Sequence, residues 1–223
     1  MVVKRALADS RPWLLLSLIA GISYYFLRDN NIPGLYLIIW KGLGVGFLAV
    51  FAVVRHHSTD GRLMAAIMAF GSLGDMLIEI DMIYGAVAFL IGHIIAIALY
   101  LRHRRARLAF SQRLFAIVMV PCVVLIAWAL PFDRSGGPGI AIYTLFLGAM
   151  AAMAWTSNFP RYRVGTGALL FVISDLLIFA RLGPLDGSVL PDLLIWPTYY
   201  FGQFLICTGV ILTLRHKDPR VAA

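Results

Sequence analysis

The stretch LYLIIWKGLGVGFLAVFAVV, residues 35–54, decides the class of fold to which this chain belongs. Lys41 is its one charged side chain, and a bilayer-spanning helix needs about 20 predominantly apolar residues. The stretch therefore predicts a transmembrane helix. Seven similar runs, separated by polar or Pro/Gly-rich segments, predict spans over residues 12–27, 62–79, 82–101, 113–130, 139–157, 163–181 and 192–214.

The composition agrees with a lipid environment. Of 223 residues, 61% are hydrophobic and 13% are charged, whereas a soluble domain carries about 25% charged residues. We therefore expect an all-α membrane protein, a single transmembrane domain over residues 1–223 built as a bundle of about eight helices. The net charge of +8 lies in short clusters between apolar runs, which is typical of topology signals and contacts with membrane lipids. No nucleic-acid partner is expected.

The distribution of basic residues predicts the orientation. With the N-terminus inside, 15 of the 19 Lys and Arg residues lie in cytoplasmic segments, and only Arg28, Arg134 and Arg181 lie in outer loops. Cytoplasmic loops carry the excess of Lys and Arg, so both termini should be cytoplasmic, in a bacterial inner membrane. The 15 are Lys4, Arg5, Arg11, Arg55, Arg62, Arg102, Arg104, Arg105, Arg107, Arg113, Arg161, Arg163, Arg215, Lys217 and Arg220.

A short sequence similarity between two predicted spans suggests an internal duplication of the chain. The segment GDMLI at 74–78, in the third predicted span, resembles SDLLI at 174–178, in the seventh. Spans that are four apart run in the same direction, so a duplicated four-helix unit is possible.

Four ionisable residues within predicted spans are candidates for function: Lys41, Asp75, His93 and Asp175. Each costs roughly 2.5–3.5 kcal/mol in the bilayer on insertion scales. Counting residues from the span ends places Lys41 and both aspartates at similar depth, roughly 6–9 Å below the outer boundary. Tyr199, Tyr200 and Gln203 reach a matching depth, which predicts a polar pocket in the outer half.

Two readings of the aspartates remain open. An ion pair with Lys41 would make them structural, whereas a poorly solvated carboxyl pair would supply an acid and a base. A metal site that includes His93 lacks any helical two-His spacing, and no metal or cofactor is expected. The glycines near these residues favour close helix packing.

The order and spacing of several motifs resemble the YhhN-like lysoplasmalogenase family over about residues 35–212. The motifs are Lys41 in the second span, GSLGD at 71–75, GAVAFLIGH at 85–93, GALLFVISD at 167–175 and YYFGQ at 199–203. Family members often carry an aromatic residue three positions after the His, where this chain has Ala96.

The resemblance implies hydrolysis of the vinyl ether bond of lysoplasmalogens, which releases a fatty aldehyde and a glycerophospho-base. On this hypothesis Asp75 and Asp175 form the catalytic pair and the substrate is a single-chain lipid. Carboxyl pairs perform comparable acid/base work in glycoside hydrolysis. The residues expected to bind or position the substrate are Lys41, His93, Ser174, Tyr199, Tyr200 and Gln203.

Two other functions use the same residues. A proton-coupled carrier of small molecules or lipids could use the membrane aspartates as a relay. An intramembrane aspartyl protease is a weaker match, because Gly71–Asp75 resembles the Gly-x-Gly-Asp motif only loosely and the partner motif is missing.

Overall fold

The computed structural model describes residues 11–218, so Lys4, Arg5 and Arg220 of the topology count lie outside the described residues. Within that range the chain forms helices and no β-strand. The eight α-helices are α1 (Arg11–Leu27), α2 (Gly34–Arg55), α3 (Thr59–Leu77), α4 (Met82–Arg102), α5 (Phe110–Ala129), α6 (Gly137–Thr156), α7 (Thr166–Arg181) and α8 (Leu190–Lys217). A five-residue π-helical turn, Arg161–Gly165, leads into α7.

Six of the eight helices in residues 11–218 are long and apolar enough to cross a membrane: α2, α4, α5, α6, α7 with its π-helical turn, and α8. These six helices fit an integral membrane protein. Helix α1 is short, at 17 residues, and α3 contains Asp60, Arg62 and Asp75. The predicted all-α class is confirmed, whereas the predicted count of about eight transmembrane helices is not.

The first of two compact units contains α1–α3, most of α4 and the end of α8 (residues up to 96 and from 207). Backbone-directed hydrogen bonds join its helices. Ser17 Oγ on α1 donates to Gly44 O on α2 at 2.6 Å, and Ser72 Oγ on α3 donates to Gly42 O at 2.7 Å. A Cβ at Gly42 would lie 2.6 Å from Met76 Cγ, so this glycine permits the close approach of α2 and α3.

Helix α3 begins and ends at identifiable signals. Ser58 accepts a hydrogen bond from Gly61 N at 3.1 Å, which caps the N-terminus of α3. The predicted span over 62–79 was too long at its C-terminal end, since the helix ends at Leu77. The physical reason is Asp81, whose Oδ1 accepts from the backbone N–H groups of Ile83 and Tyr84 and so starts α4.

The second unit comprises residues 97–206. Within it, α7 approaches α8 closely at Gly167 and Gly202. A Cβ at Gly167 would lie 2.6 Å from Gly202 O, and a Cβ at Gly202 would lie 2.7 Å from Gly167 O. The prediction that such glycines serve packing is confirmed at this crossing.

Candidate functional site

Asp75 lies in the last turn of α3, in the first unit, and its side chain is 2% exposed. The preceding residue, Gly74, packs against the Phe89 ring of α4, where an added Cβ would lie 2.8 Å from Cε1. His93 follows Phe89 by one helical turn and is also buried, so both residues share the face of α4 that meets α3. The tight α3–α4 packing therefore holds the carboxyl of Asp75 in a fixed, nearly dry setting.

Lys41 pairs with Glu79, the last residue of the third predicted span. Its Nζ lies 2.5 Å from Glu79 Oε1, four residues after Asp75. The Lys41 side chain is 15% exposed and that of Glu79 is 42% exposed. The ion pair of Lys41 therefore lies just beyond the C-terminal end of α3.

Tyr24 is a residue of this site that the sequence analysis missed. It is buried on α1 and lies within electrostatic range of Glu79 and Asp75. Helices α1, α2 and α3 thus each contribute a polar side chain to the same end of the unit. A tyrosine near the end of an apolar helix is typical of the membrane interface, which is why its sequence context gave no sign of this role.

Asp175 lies on α7, in the second unit, and is 5% exposed. Tyr143 on α6 donates a hydrogen bond from its hydroxyl to Asp175 Oδ2 at 2.6 Å. Sequence reasoning missed Tyr143, because a single tyrosine in an apolar helix is ordinary in a membrane protein.

The remaining predicted residues of the second unit lie along the packing of α7 against α8. Ser174 Oγ donates to Ile195 O of α8 at 3.0 Å. Phe171, one turn before Asp175, meets the Tyr199 ring edge to face at 5.1 Å, and Gln203 Nε2 donates to Tyr199 Oη at 3.4 Å. Tyr200 is 1% exposed. The structure therefore brings Ser174, Tyr199 and Gln203 to the helix pair that carries Asp175.

Tyr200 has a different environment from Tyr199. Its ring stacks on Trp196, with centroids 5.9 Å apart and planes inclined by 12°. Helix α8 contains Pro197 between these two aromatic residues, and proline removes one backbone donor from the helix. This stacking holds the Trp196 and Tyr200 side chains against each other on either side of Pro197.

Each unit thus contains one nearly buried carboxylic acid with a distinct set of neighbours. Asp75 has a tyrosine and a Lys–Glu ion pair in its surroundings, whereas Asp175 accepts a short hydrogen bond from a phenol. Groups of this kind can donate, accept or hold a proton in a poorly solvated setting. Among residues 11–218 no group of three or more His, Cys, Asp or Glu side chains is placed to hold a metal ion.

A further titratable group lies at the end of α2. His56 is buried, and its Nδ1 lies 2.7 Å from Ser58 Oγ. Burial lowers the pKa of His56 below its ordinary value, and the nearby Asp218 opposes this only in part. Burial therefore favours the neutral form of the imidazole in the folded protein.

Comparison with known proteins gives one match. No curated protein and no solved structure shows significant similarity to the chain. Residues 36–210 match the YhhN family, a range of 175 of the 223 residues that includes Lys41, both buried aspartates, His93 and the polar residues of α8. The chain belongs to the YhhN family.

Proposed function

We propose that the protein is an intramembrane hydrolase that cleaves the vinyl ether bond of lysoplasmalogens or of a related single-chain lysolipid. The observation that carries the proposal is the burial of Asp75 and Asp175 in a chain of the YhhN family. Two aspartic acids in apolar helices are costly, and intramembrane acids generally mark functional sites.

The proposed reaction begins with proton transfer to carbon. One carboxylic acid donates its proton to the alkene carbon β to the ether oxygen, which leaves an oxocarbenium ion. The other, ionised, carboxyl stabilises this cation and removes a proton from the attacking water. The resulting hemiacetal then breaks its C–O bond to the glycerol: its hydroxyl proton passes to the first carboxylate, and the second carboxyl returns its proton to the leaving oxygen. One water is thus consumed, a fatty aldehyde and a glycerophospho-base are released, and both carboxyl groups regain their starting states. This division of labour parallels that of the two carboxyl groups in glycoside hydrolysis.

Other side chains have supporting roles in this proposal. The hydroxyl of Tyr143 orients Asp175, and the hydrogen bond from Ser174 to the backbone of α8 joins that part of α7 to α8. Lys41 is the cation of the first unit that could contact the lipid phosphate, in exchange for Glu79. His93, Tyr199, Tyr200 and Gln203 shape the surroundings of the carboxyl groups. We further propose that the protein resides in a bacterial cytoplasmic membrane with both termini cytoplasmic.

The decisive experiment measures aldehyde release by the purified protein in detergent from a panel of lysolipids with and without a vinyl ether. Acid/base groups contribute about 100- to 10,000-fold, so Asp75→Asn and Asp175→Asn should each lower kcat by that amount while the protein still folds. Asp133→Asn, in an exposed loop, is the matched control and should retain full activity.

Two further measurements test the mechanism. If both carboxyl groups act on one substrate, the double Asn variant should be little worse than the more impaired single variant. Reaction in heavy water should place deuterium on the carbon next to the aldehyde and slow turnover. Cleavage without deuterium at that carbon would contradict protonation of the alkene.

A proton-coupled carrier is the competing function, because buried aspartates also serve as proton relays. Such a carrier would release no aldehyde, and it would move substrate into proteoliposomes in response to a proton gradient. Finding that transport, together with no cleavage of any lysolipid tested, would overturn the hydrolase proposal.

A further inference from the structure

Six arginines of the second unit lie at the connections that join α4 to α5 and α6 to α7, five of them between the helices and Arg113 in the first turn of α5. We call this the arginine surface. Arg104, Arg107, Arg113 and Arg163 are exposed, and Arg105 and Arg161 are half-buried. No Asp or Glu occurs in residues 82–132 or 134–174, so neither loop and none of the helix segments next to them carries a compensating carboxylate.

The two loops are bound to each other through their backbones. Arg104 and Ser157 form an isolated antiparallel bridge. Asn158 donates from its backbone N–H to His103 O at 2.7 Å and from its amide to Arg104 O at 3.1 Å. The arginines of the two loops therefore project from one connected platform rather than from two independent loops.

Two guanidinium groups are part of that platform. Arg105 donates from Nε to Ser157 O at 2.8 Å and from Nη2 to Phe159 O at 3.4 Å. Arg161 lies 5.8 Å from the centroids of the Trp155 and Tyr162 rings. The Gln112 side chain lies within hydrogen-bond distance of the Arg161 guanidinium. Because a guanidinium only donates hydrogen bonds, the accepting atom must be the amide oxygen of Gln112.

The platform also has an unsatisfied donor. Arg161 Nε is buried and has no hydrogen-bond partner within residues 11–218. An unpaired buried donor is costly, so the positive charge of Arg161 is only partly compensated within the platform. Guanidinium groups favour phosphate oxygens, with which they form paired hydrogen bonds.

Two exposed aromatic residues indicate the depth of this surface relative to a bilayer. Phe110 is 80% exposed at the start of α5, and Tyr162 is 81% exposed in the turn that precedes α7. Exposed aromatic rings at helix ends are typical of the headgroup region of a membrane. This exposure favours a position of the neighbouring guanidinium groups at the level of the lipid phosphates.

From these observations we propose that the arginine surface is a binding site for the phosphate of an anionic phospholipid. The site is separate from Asp175, the buried aspartate of the same unit, and it does not depend on the proposed hydrolase activity. Its occupant is a structural or regulatory lipid of the surrounding membrane. Arg105 and Arg161 hold the platform, and Arg107 and Arg163 are the exposed cations that contact the phosphate.

The test uses the full-length protein in a neutral detergent, titrated with dioleoylphosphatidylglycerol or dioleoylphosphatidylcholine and followed by native mass spectrometry and melting temperature. We expect the anionic lipid to bind at least 10-fold more tightly. The variant Arg107→Gln/Arg163→Gln should lose about 30-fold of that affinity, at about 1 kcal/mol for each basic residue. The control Arg134→Gln/Arg181→Gln removes the same charge from exposed positions elsewhere in the unit and should bind like the wild type.

Several outcomes would overturn the site. Equal binding of the two lipids would show that the site does not recognise an anionic lipid. Equal losses of affinity in the two double variants would show that binding depends only on the net charge of the protein. Inorganic phosphate that protects the protein as well as the lipid does would show that no lipid is required. If Arg107→Gln/Arg163→Gln fails to fold, Arg107→Lys/Arg163→Lys keeps the charge but loses the paired hydrogen bonds, and it should still bind several-fold more weakly than the wild type. Wild-type affinity in this Lys variant would contradict phosphate recognition by the guanidinium groups.

Discussion

Tyr143 donates a 2.6 Å hydrogen bond to Asp175, and this bond joins α6 to α7 at the buried carboxyl of the second unit. The tyrosine is half-buried, and its ring also meets Phe179 at a centroid distance of 6.5 Å. The phenol therefore fixes the direction in which the carboxyl group points. A carboxyl that must transfer a proton depends on such orientation.

Tyr143→Phe tests this orienting role. The phenylalanine retains the ring contact and removes only the donor. On the proposed function we expect kcat to fall about 10- to 100-fold with little change in KM, because orientation acts on the chemical step. The loss of one hydrogen bond should cost about 1 kcal/mol of unfolding free energy. Tyr162→Phe, at an exposed position of the same unit, is the control and should change neither quantity; an unchanged kcat in Tyr143→Phe would remove Tyr143 from the site.

The ion pair between Lys41 and Glu79 should contribute little to stability. Both side chains are partly exposed, and pairs in such settings contribute about 0.2–1 kcal/mol. A double-mutant cycle with Lys41→Met and Glu79→Gln, measured by unfolding in mixed micelles, should give a coupling energy in that range. A coupling above about 3 kcal/mol would mean that the pair behaves as a buried one and that Lys41 is not available to a substrate.

The sequence was informative about helices and about buried acids for the same physical reason. Each span needs about 20 apolar residues to cross the lipid, so polar residues mark the ends of the helices. The observed bounds of α1 and α4 lie within one residue of the predicted bounds at both ends. Asp75 and Asp175 were conspicuous because charge within an apolar run is rare.

The partners of these acids could not be predicted from the sequence. Tyr24 and Tyr143 look like ordinary aromatic residues of a membrane protein, since a phenol costs little in a helix that faces lipid or protein. Their roles depend on how neighbouring helices are rotated, and no spacing along the chain encodes that rotation. Glu79 is the last residue of a predicted span, and only the end of α3 at Leu77 shows how it reaches Lys41.

The crossing of α7 and α8 at Gly167 and Gly202 should be intolerant of added volume. In Gly167→Ala the new Cβ would meet a backbone carbonyl at 2.6 Å, and the helices must separate to admit it. We expect a loss of about 1–3 kcal/mol in unfolding free energy. Gly139→Ala on α6, where nothing lies within 4 Å of the added Cβ, should be neutral or slightly stabilising. Equal melting temperatures for the two variants would contradict the close approach.

The buried neutral imidazole of His56 should make stability depend on pH. Its folded pKa is lowered, so below about pH 6.5, the ordinary histidine pKa, the unfolded chain binds more protons than the folded one. The free energy of unfolding should therefore decrease as pH falls through this value. In His56→Gln the decrease between pH 7.5 and pH 5 should be smaller than in the wild type. An equal decrease in His56→Gln and in the wild type would contradict this role of the buried imidazole.

The proposed orientation predicts the accessibility of the loop between α4 and α5. Ala106 is exposed there, whereas Arg105 is held by Ser157 and Phe159, so Ala106→Cys is the less disruptive probe. In a Cys122→Ser background, Ala106→Cys should resist a membrane-impermeant maleimide in intact cells and react after lysis. Rapid labelling of intact cells would show that the proposed orientation is wrong and that the helices cross the membrane in the opposite direction.

The short connection between α3 and α4 has a consequence for how the chain enters a membrane during synthesis. Helix α3, with three charged residues, would partition poorly into lipid alone, whereas α4 is long and apolar enough to cross a membrane. Gly74 against Phe89 and Gly85 against Ile78 allow the two helices to pack closely on either side of the Asp81 cap. Insertion of α3 and α4 together, as a preformed hairpin, would let the apolar helix carry the polar one across the energetic barrier. Asp75 would then enter the bilayer already shielded by its neighbour.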